Sequence, residues 1–165
     1  MMTRRLLIVP VVALLCFLAA PARAQSTPEA EAEVRAVFDK LFDGMWRGDS
    51  TAVRAAFHPT ATLRSMMVRE GTPMMRADSV DAFVRAVGTP HTQTWDERVP
   101  SIQVHVDGPM ATVWMPYTFY LDGRLSHCGV NTAQLFRGTQ GWKIIHLSDT
   151  RKREGCPEVP STRSR

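Results

Sequence analysis

YTFYLDGRLSHCGVNTAQLFRGTQGWKIIHLSDT, Tyr117 to Thr150, is the stretch on which the fold turns. Three β-rich runs within it are separated by Asp122-Gly123 and by Gly138-Thr139-Gln140-Gly141. Both separators carry hairpin chemistry, since Gly and Asp tolerate the backbone angles that a tight reversal demands. Extended upstream, the pattern adds Met110 to the start of its first run, and Asp107-Gly108 separates that run from an earlier one, Thr94 to Val106. Four successive runs, 94–106, 110–121, 124–136 and 142–150, predict an antiparallel meander. Pro116 cannot donate to a ladder, so it predicts a bulge or a strong bend where the sheet curls.

Upstream the periodicity changes from two to 3.6. Thr27 to Asp49 offers an N-cap, Pro28 at the first helical position, acids in the first turn, and apolar residues at Val34, Val37, Phe38, Leu41, Phe42 and Met45, with Gly48 as the stop. Asp49 is placed to cap a second, short helix through Phe57, which His58-Pro59 ends. Thr60 to Val68 reads as a strand. Asp78 then caps a third helix with Val80, Phe83, Val84 and Val87 on its apolar face, closed by Gly88. The expected class is α+β, three N-terminal helices packed on a strongly curved, mainly antiparallel sheet. Only PEVPSTRSR, Pro157 to Arg165, reads as a disordered tail.

At the N-terminus, MMTRR, the apolar LLIVPVVALLCFLAA and Ala22-Arg23-Ala24 form a secretory signal peptide with an A-x-A cleavage site. The expected division is a leader at 1–24, one domain at 25–155 and a tail at 156–165, with the product exported to a periplasmic or extracellular compartment and no membrane segment after cleavage. Thr3-Arg4-Arg5 leaves the choice between general and twin-arginine export open. Cleavage removes three arginines and no acid, which lowers the formal charge from +4 to +1. The basic run Arg151-Lys152-Arg153 is then a solvated end, and nucleic acid is not an expected partner. Cleavage also leaves two cysteines, Cys128 and Cys156, an even count that in an oxidising compartment predicts a disulfide. Closing that loop is worth about 3–4 kcal/mol in the loop-entropy model.

Helices first, then a curved sheet ending in GWKIIHLSDT, resembles the nuclear transport factor 2-like superfamily, which includes ketosteroid isomerase and the SnoaL-like cyclases. The stretch YTFYLDGRLSHCGVNTAQL resembles secreted lumazine-binding-type members of it. The resemblance covers about Pro28 to Arg153 and implies a cystatin-like cone, with helices closing one side and a ligand pocket inside, and a homodimer formed through the outer sheet face. No stretch matches the catalytic motif of ketosteroid isomerase, so no catalytic residue is carried over.

If Leu121 pairs with Arg124 and Arg137 with Trp142, one sheet face collects Trp114, Thr118, Tyr120, His127, Asn131, His146 and Ser148, a mixture of aromatic and hydrogen-bonding groups of the kind that lines pockets. The expected pocket set is therefore Trp114, Tyr120, His127, Asn131 and His146, with Arg64 reaching from across the cone. Tyr117, Phe119 and Val130 fall on the other face, as a packing or homodimer surface, and Asp149 points away from the pocket. His127 is the candidate acid–base residue; its bland alternative is a hairpin-end residue bonded to a neighbour. No metal site is expected: His127 and His146 lie about 20 Å apart at the usual strand rise, and no H-x-H or H-E-x-x-H occurs. No cofactor motif is present. Three classes of function remain, namely a small-molecule binding domain, an isomerase, dehydratase or cyclase using His127, and a homodimeric partner-binding module.

Overall fold

The computed structural model describes residues 27–163; the predicted leader and its cleavage site lie outside them. In chain order the elements are α1 (Pro28–Arg47), α2 (Ser50–Ala56), β1 (Phe57–Arg69), β2 (Thr72–Ser79), α3 (Val80–Gly88), β3 (Trp95–Arg98), β4 (Gln103–Asp107), β5 (Met110–Leu121), β6 (Arg124–Gly138) and β7 (Gly141–Arg151). Three helices and one mixed seven-stranded sheet make an α+β fold. The strand order is β2-β1-β7-β6-β5-β3, with β4 also on β5. All pairings are antiparallel except β1 with β7, which is parallel.

α1 forms where its caps predict. The Thr27 hydroxyl accepts from the Ala30 N–H, and Gly48 closes the helix at φ 68°, a left-handed conformation that glycine adopts without a Cβ penalty. Its buried stripe, Val34, Phe38, Leu41, Phe42 and Met45, packs against the sheet. Glu33 ties the helix to the β6–β7 hairpin by accepting from Trp142 Nε1 at 3.1 Å and pairing with Arg137. α3 is capped one residue later than expected, by the Ser79 hydroxyl rather than Asp78. β1 begins at Phe57, so α2 is shorter than predicted, and a strand absent from the sequence-based reading, β2, folds back on β1 through Glu70-Gly71.

The expected run 94–106 is two strands. β3 pairs with Trp95 opposite Leu121 through Arg98 opposite Thr118, and β4 with Gln103 opposite Trp114. Pro116 sits in the stretch of β5 that neither of them covers, a place where a missing N–H costs no ladder bond on that edge. No register shift occurs at Pro116 itself.

Both predicted turn registers are present, Leu121 with Arg124 and Arg137 with Trp142. Each hairpin then shifts by one residue, between Phe119 and Tyr120 against β6, and between Gln134 and Leu135 against β7. A one-residue shift sends every later side chain to the opposite face. Hence His127 lies opposite Phe119 rather than Thr118, and Ala133 opposite Leu147 rather than His146. The inner face is made by Tyr117, Phe119 and Leu121 of β5, by His127 and Asn131 of β6, and by Leu147, Asp149 and Arg151 of β7. This corrects the expected assignment for β5 and for the second half of β7. Tyr117 and Phe119 are not an outer surface, and Asp149 points inward.

Cys128 and Cys156 form the disulfide, with their Cα atoms 5.6 Å apart. The segment expected to be a disordered tail packs from this anchor across the outer face. Thr118 Oγ1 donates to the Pro157 carbonyl at 3.0 Å, Tyr120 and Val159 exchange two hydrogen bonds, and Arg98 Nη1 donates to the Val159 carbonyl at 2.7 Å. Farther on, Arg163 donates to the Phe42 carbonyl at 3.0 Å. Composition suggested disorder because the segment lacks a hydrophobic pattern of its own. It is held instead by backbone carbonyls meeting donors that the sheet supplies.

Candidate functional site

The inner face of the sheet, α1 and α3 enclose a cavity of about 570 Å³, within the size range of small-molecule sites. Leu41, Phe42 and Met45 of α1, Phe83 of α3, and Trp95, Phe119, Leu121 and Leu147 of the sheet give it an apolar wall. The polar residues gather on the strands. Strand alternation along Trp95-Asp96-Glu97-Arg98 sends Trp95 and Glu97 inward and Asp96 and Arg98 outward.

Glu97 is the most perturbed carboxyl of the cavity. The Asn131 side chain donates to its Oε1 at 2.6 Å. Burial pushes the Glu97 carboxyl up from an ordinary 4.5 to about 7; the Asn131 bond opposes this, Asp149 adds to it and Arg151 opposes it. Among described residues, Asn131 is the one side-chain donor on that carboxylate. Asp149 contrasts with it. Ser65 Oγ donates to its Oδ1 at 2.6 Å, and Tyr117 Oη and Arg151 Nε donate to its Oδ2 at 3.2 and 2.5 Å. Burial, then the charges of Asp149 and Glu97, push the Tyr117 phenol well above its ordinary value, so it remains a donor.

His127 lies beside these groups, its ring 5.0 Å from that of Phe119 and 5.7 Å from that of Tyr117, with Nδ1 3.1 Å from Ser126 Oγ. Burial, then Arg151, hold its imidazole down at about 4, with Asp149 opposing and Arg153 adding. It is a neutral ring at neutral pH. Its neighbour Gly129 is fixed by close approach, since a Cβ there would stand 1.8 Å from the Thr150 carbonyl oxygen, inside contact distance. That approach brings the end of β7, with Asp149 and Arg151, over the inner face of β6.

Of the residues expected in the pocket, His127, Asn131 and Arg64 line the cavity. Trp114, Tyr120 and His146 do not, because the two register shifts put them on the outer face. Trp114 is 49% exposed there, Tyr120 is buried under the 156–163 segment, and His146 Nδ1 lies 2.7 Å from Thr62 Oγ1. Glu97, Asp149, Tyr117 and Arg151 were missed. An acid on the same strand face as Trp95 was the available signal for Glu97. Among the described residues, no group of three or more His, Cys, Asp or Glu is placed to hold a metal ion.

The family whose model is described as "Putative lumazine-binding" matches residues 29–125. No curated protein matches the chain. Solved structures share the fold. A Nostoc punctiforme domain of unknown function with a cystatin-like fold is 24% identical, with 77% of this chain and 80% of that one covered and a TM-score of 0.57. A second cystatin-like protein of unknown function from the same organism is 10% identical over 79% of this chain and 96% of its own, with a TM-score of 0.62. A protein from Streptomyces avermitilis described as "a putative dehydratase from the NTF2-like family" is 17% identical over 75% and 97%, with a TM-score of 0.55.

Proposed function

The chain belongs to the family described as "Putative lumazine-binding", within the nuclear transport factor 2-like superfamily, and from that membership and the geometry of the cone we propose that it binds a small organic molecule and moves a proton on it. Glu97 is the acid–base group. The observation that carries this is a carboxyl that lines a ligand-sized cavity with a single side-chain donor, Asn131 at 2.6 Å, and that burial pushes up to about 7. A general base works best with a pKa near the operating pH, where it is both present in the right form and able to drive the transfer. The apolar wall holds the body of the ligand. Asn131 orients Glu97, and His127, neutral, orients a ligand carbonyl or hydroxyl by hydrogen bonding. The reaction class is proton abstraction beside a carbonyl, or loss of a β-hydroxyl, the isomerase and dehydratase chemistries. The description of the Streptomyces avermitilis protein as a dehydratase agrees with this class only at the level of a shared fold.

The test is a panel of small ketones, enones and β-hydroxy acids incubated with protein in deuterated buffer, with binding followed by ligand-observed NMR. Wild type exchanges or converts at least one bound compound, and Glu97→Gln slows it by about 100-fold or more while still binding it. Undiminished turnover in Glu97→Gln removes Glu97 from the chemistry. Failure of every compound to enter the cone removes the ligand reading itself.

Two further readings have their own support. Met110, Trp114 and Phe136 are 50%, 49% and 44% exposed on the outer face, a surface suited to a second copy of the chain; sedimentation of the mature protein tests it. The disulfide, and the lack of any described helix long and apolar enough to cross a membrane, agree with export. The mass of the protein recovered from its native compartment checks cleavage after Ala24.

A further inference from the structure

We infer that the ligand is an organic anion, an acid with an apolar body, whose charged group is received by Arg153 together with Arg151 and His127. This deepens the preceding proposal and rests on the reading of the cone as a ligand site.

The inference comes from an imbalance of charge around one cavity. Four arginines line the cavity and are compensated unequally, Arg64 by donating to the Leu63 carbonyl at 2.7 Å. Arg76 pairs with Asp78 at 2.8 Å and Arg151 with Asp149 at 2.5 Å. Arg153 also lines the cavity, two residues beyond Arg151, and makes no hydrogen bond or ion pair with any described residue. The alternation of β7 and its continuation brings Arg151 and Arg153 to the same side, next to His127, and both act on its ring. In the tautomer in which Ser126 donates to Nδ1, the ring proton sits on Nε2 and is left for a ligand. A guanidinium without a partner beside a neutral N–H donor is a receptor for carboxylate, sulfonate or phosphate oxygens. The apolar wall begins at once beside it, at Phe119. Arg151 and Arg153 are exposed, so a wholly apolar ligand would leave these donors to water alone, and a small inorganic anion would leave the wall uncovered. An amphiphilic acid satisfies both.

The probes are anilinonaphthalenesulfonate and N-phenylnaphthylamine, which share an aromatic body and differ by the sulfonate, followed by fluorescence titration of the full mature chain. Wild type binds the sulfonate more tightly than the neutral amine, and added salt weakens the sulfonate only. Arg153→Gln weakens sulfonate binding about threefold and Arg153→Glu about tenfold, with the amine unchanged in both. The His127 ring titrates at higher pH with the sulfonate bound. Ala86→Trp, which fills the cavity from α3, abolishes both signals. If the amine binds but neither Arg153 variant changes sulfonate affinity, the anion site is wrong and the ligand cavity stands. A sulfonate signal that survives Ala86→Trp places the probe outside the cone and also overturns the inference. If neither probe binds wild type, the reading of the cone fails, and the inference with it.

Discussion

β3 and β5 carry polar side chains on both faces of the sheet, and the two sets meet different fates. On the outer face, Asp96, Arg98, Thr118 and Tyr120 are covered by the chain's own C-terminal segment. Arg98 pairs with Asp96 at 2.7 Å, stacks 3.8 Å from the centre of the Tyr120 ring and donates to Val159, and Thr118 and Tyr120 complete the contacts. On the inner face, Glu97 and Tyr117 line a cavity. There Asp149 gathers three side-chain donors while Glu97 holds one, and burial leaves its carboxyl at about 7. Polar groups satisfied by the fold are structure. A half-buried carboxyl that lines a cavity and takes one side-chain donor from the fold is poised for something that arrives from outside.

The largest expected effect lies on the outer side. Replacing both Cys128 and Cys156 by Ala frees the strap formed by residues 156–163, lowers stability by about 2–5 kcal/mol, and speeds amide hydrogen exchange at Val159, while the inner cavity still binds its probes. A melting curve with exchange mass spectrometry checks this. Loss of probe binding together with the strap would break the separation of the two faces.

On the inner side, Glu97 makes stability depend on pH. Between its ordinary 4.5 and about 7 the folded state holds a proton that the unfolded chain has released, so stability falls as pH rises through that window, by on the order of 3 kcal/mol. Glu97→Gln keeps an acceptor for Asn131 and removes this slope, so the variant is more stable than wild type above neutrality and equal to it near pH 4. His127 works in the opposite sense. Its ring is held at about 4 against 6.5, so the folded state binds fewer protons in that interval and stability falls as pH drops through it. His127→Gln removes that acid-side loss. Urea melts from pH 4 to 8 separate the two slopes.

Gly129→Ala is expected to cost about 1–3 kcal/mol by overpacking against the Thr150 backbone. Because β7 must move, it also displaces Asp149 and weakens cavity binding, whereas the nearby outer-face change Val130→Ala leaves binding alone. Chemical denaturation and probe titration of both variants test the contrast.

The sequence makes legible whatever depends on local chemistry. Thr27, Pro28 and Gly48 bound α1, Asp122-Gly123 and Gly138 to Gly141 set the turn registers, and Cys128 and Cys156 pair with each other. The pocket lining is half legible for one physical reason. Each hairpin contains an extra residue a few positions from its turn, and a bulge is imposed by the curvature of the whole sheet without a residue signature here. From correct turns, unbroken counting therefore reaches Thr118 and His146 where the fold presents Phe119 and Leu147. The extra residues are Ser126 on β6 and Ile145 on β7; His127 and Asn131 both lie beyond Ser126 on one unbroken alternation and are found together, while Asp149, counted across Ile145, is turned outward. Glu97 was missed for another reason. Its importance comes from burial against α1 and the sheet, and the one sequence signal, an acid on the same strand face as Trp95, does not reveal that burial. The strap is invisible in the same way, since its partners Thr118, Tyr120 and Arg98 belong to strands far from it in the chain.

The chemistry of the inner face turns on the protonation of one side chain. Carbon-detected NMR of the Glu97 carboxyl, assigned by comparison with Glu97→Gln and followed from pH 4 to 9 in the free protein, measures it without knowledge of the ligand. The expected midpoint is near 7, moving down when Asp149→Asn removes the neighbouring charge that helps to raise it. A midpoint near 4.5 in wild type would mean that Glu97 is an ordinary solvated acid, and the inner face would lose its claim to chemistry.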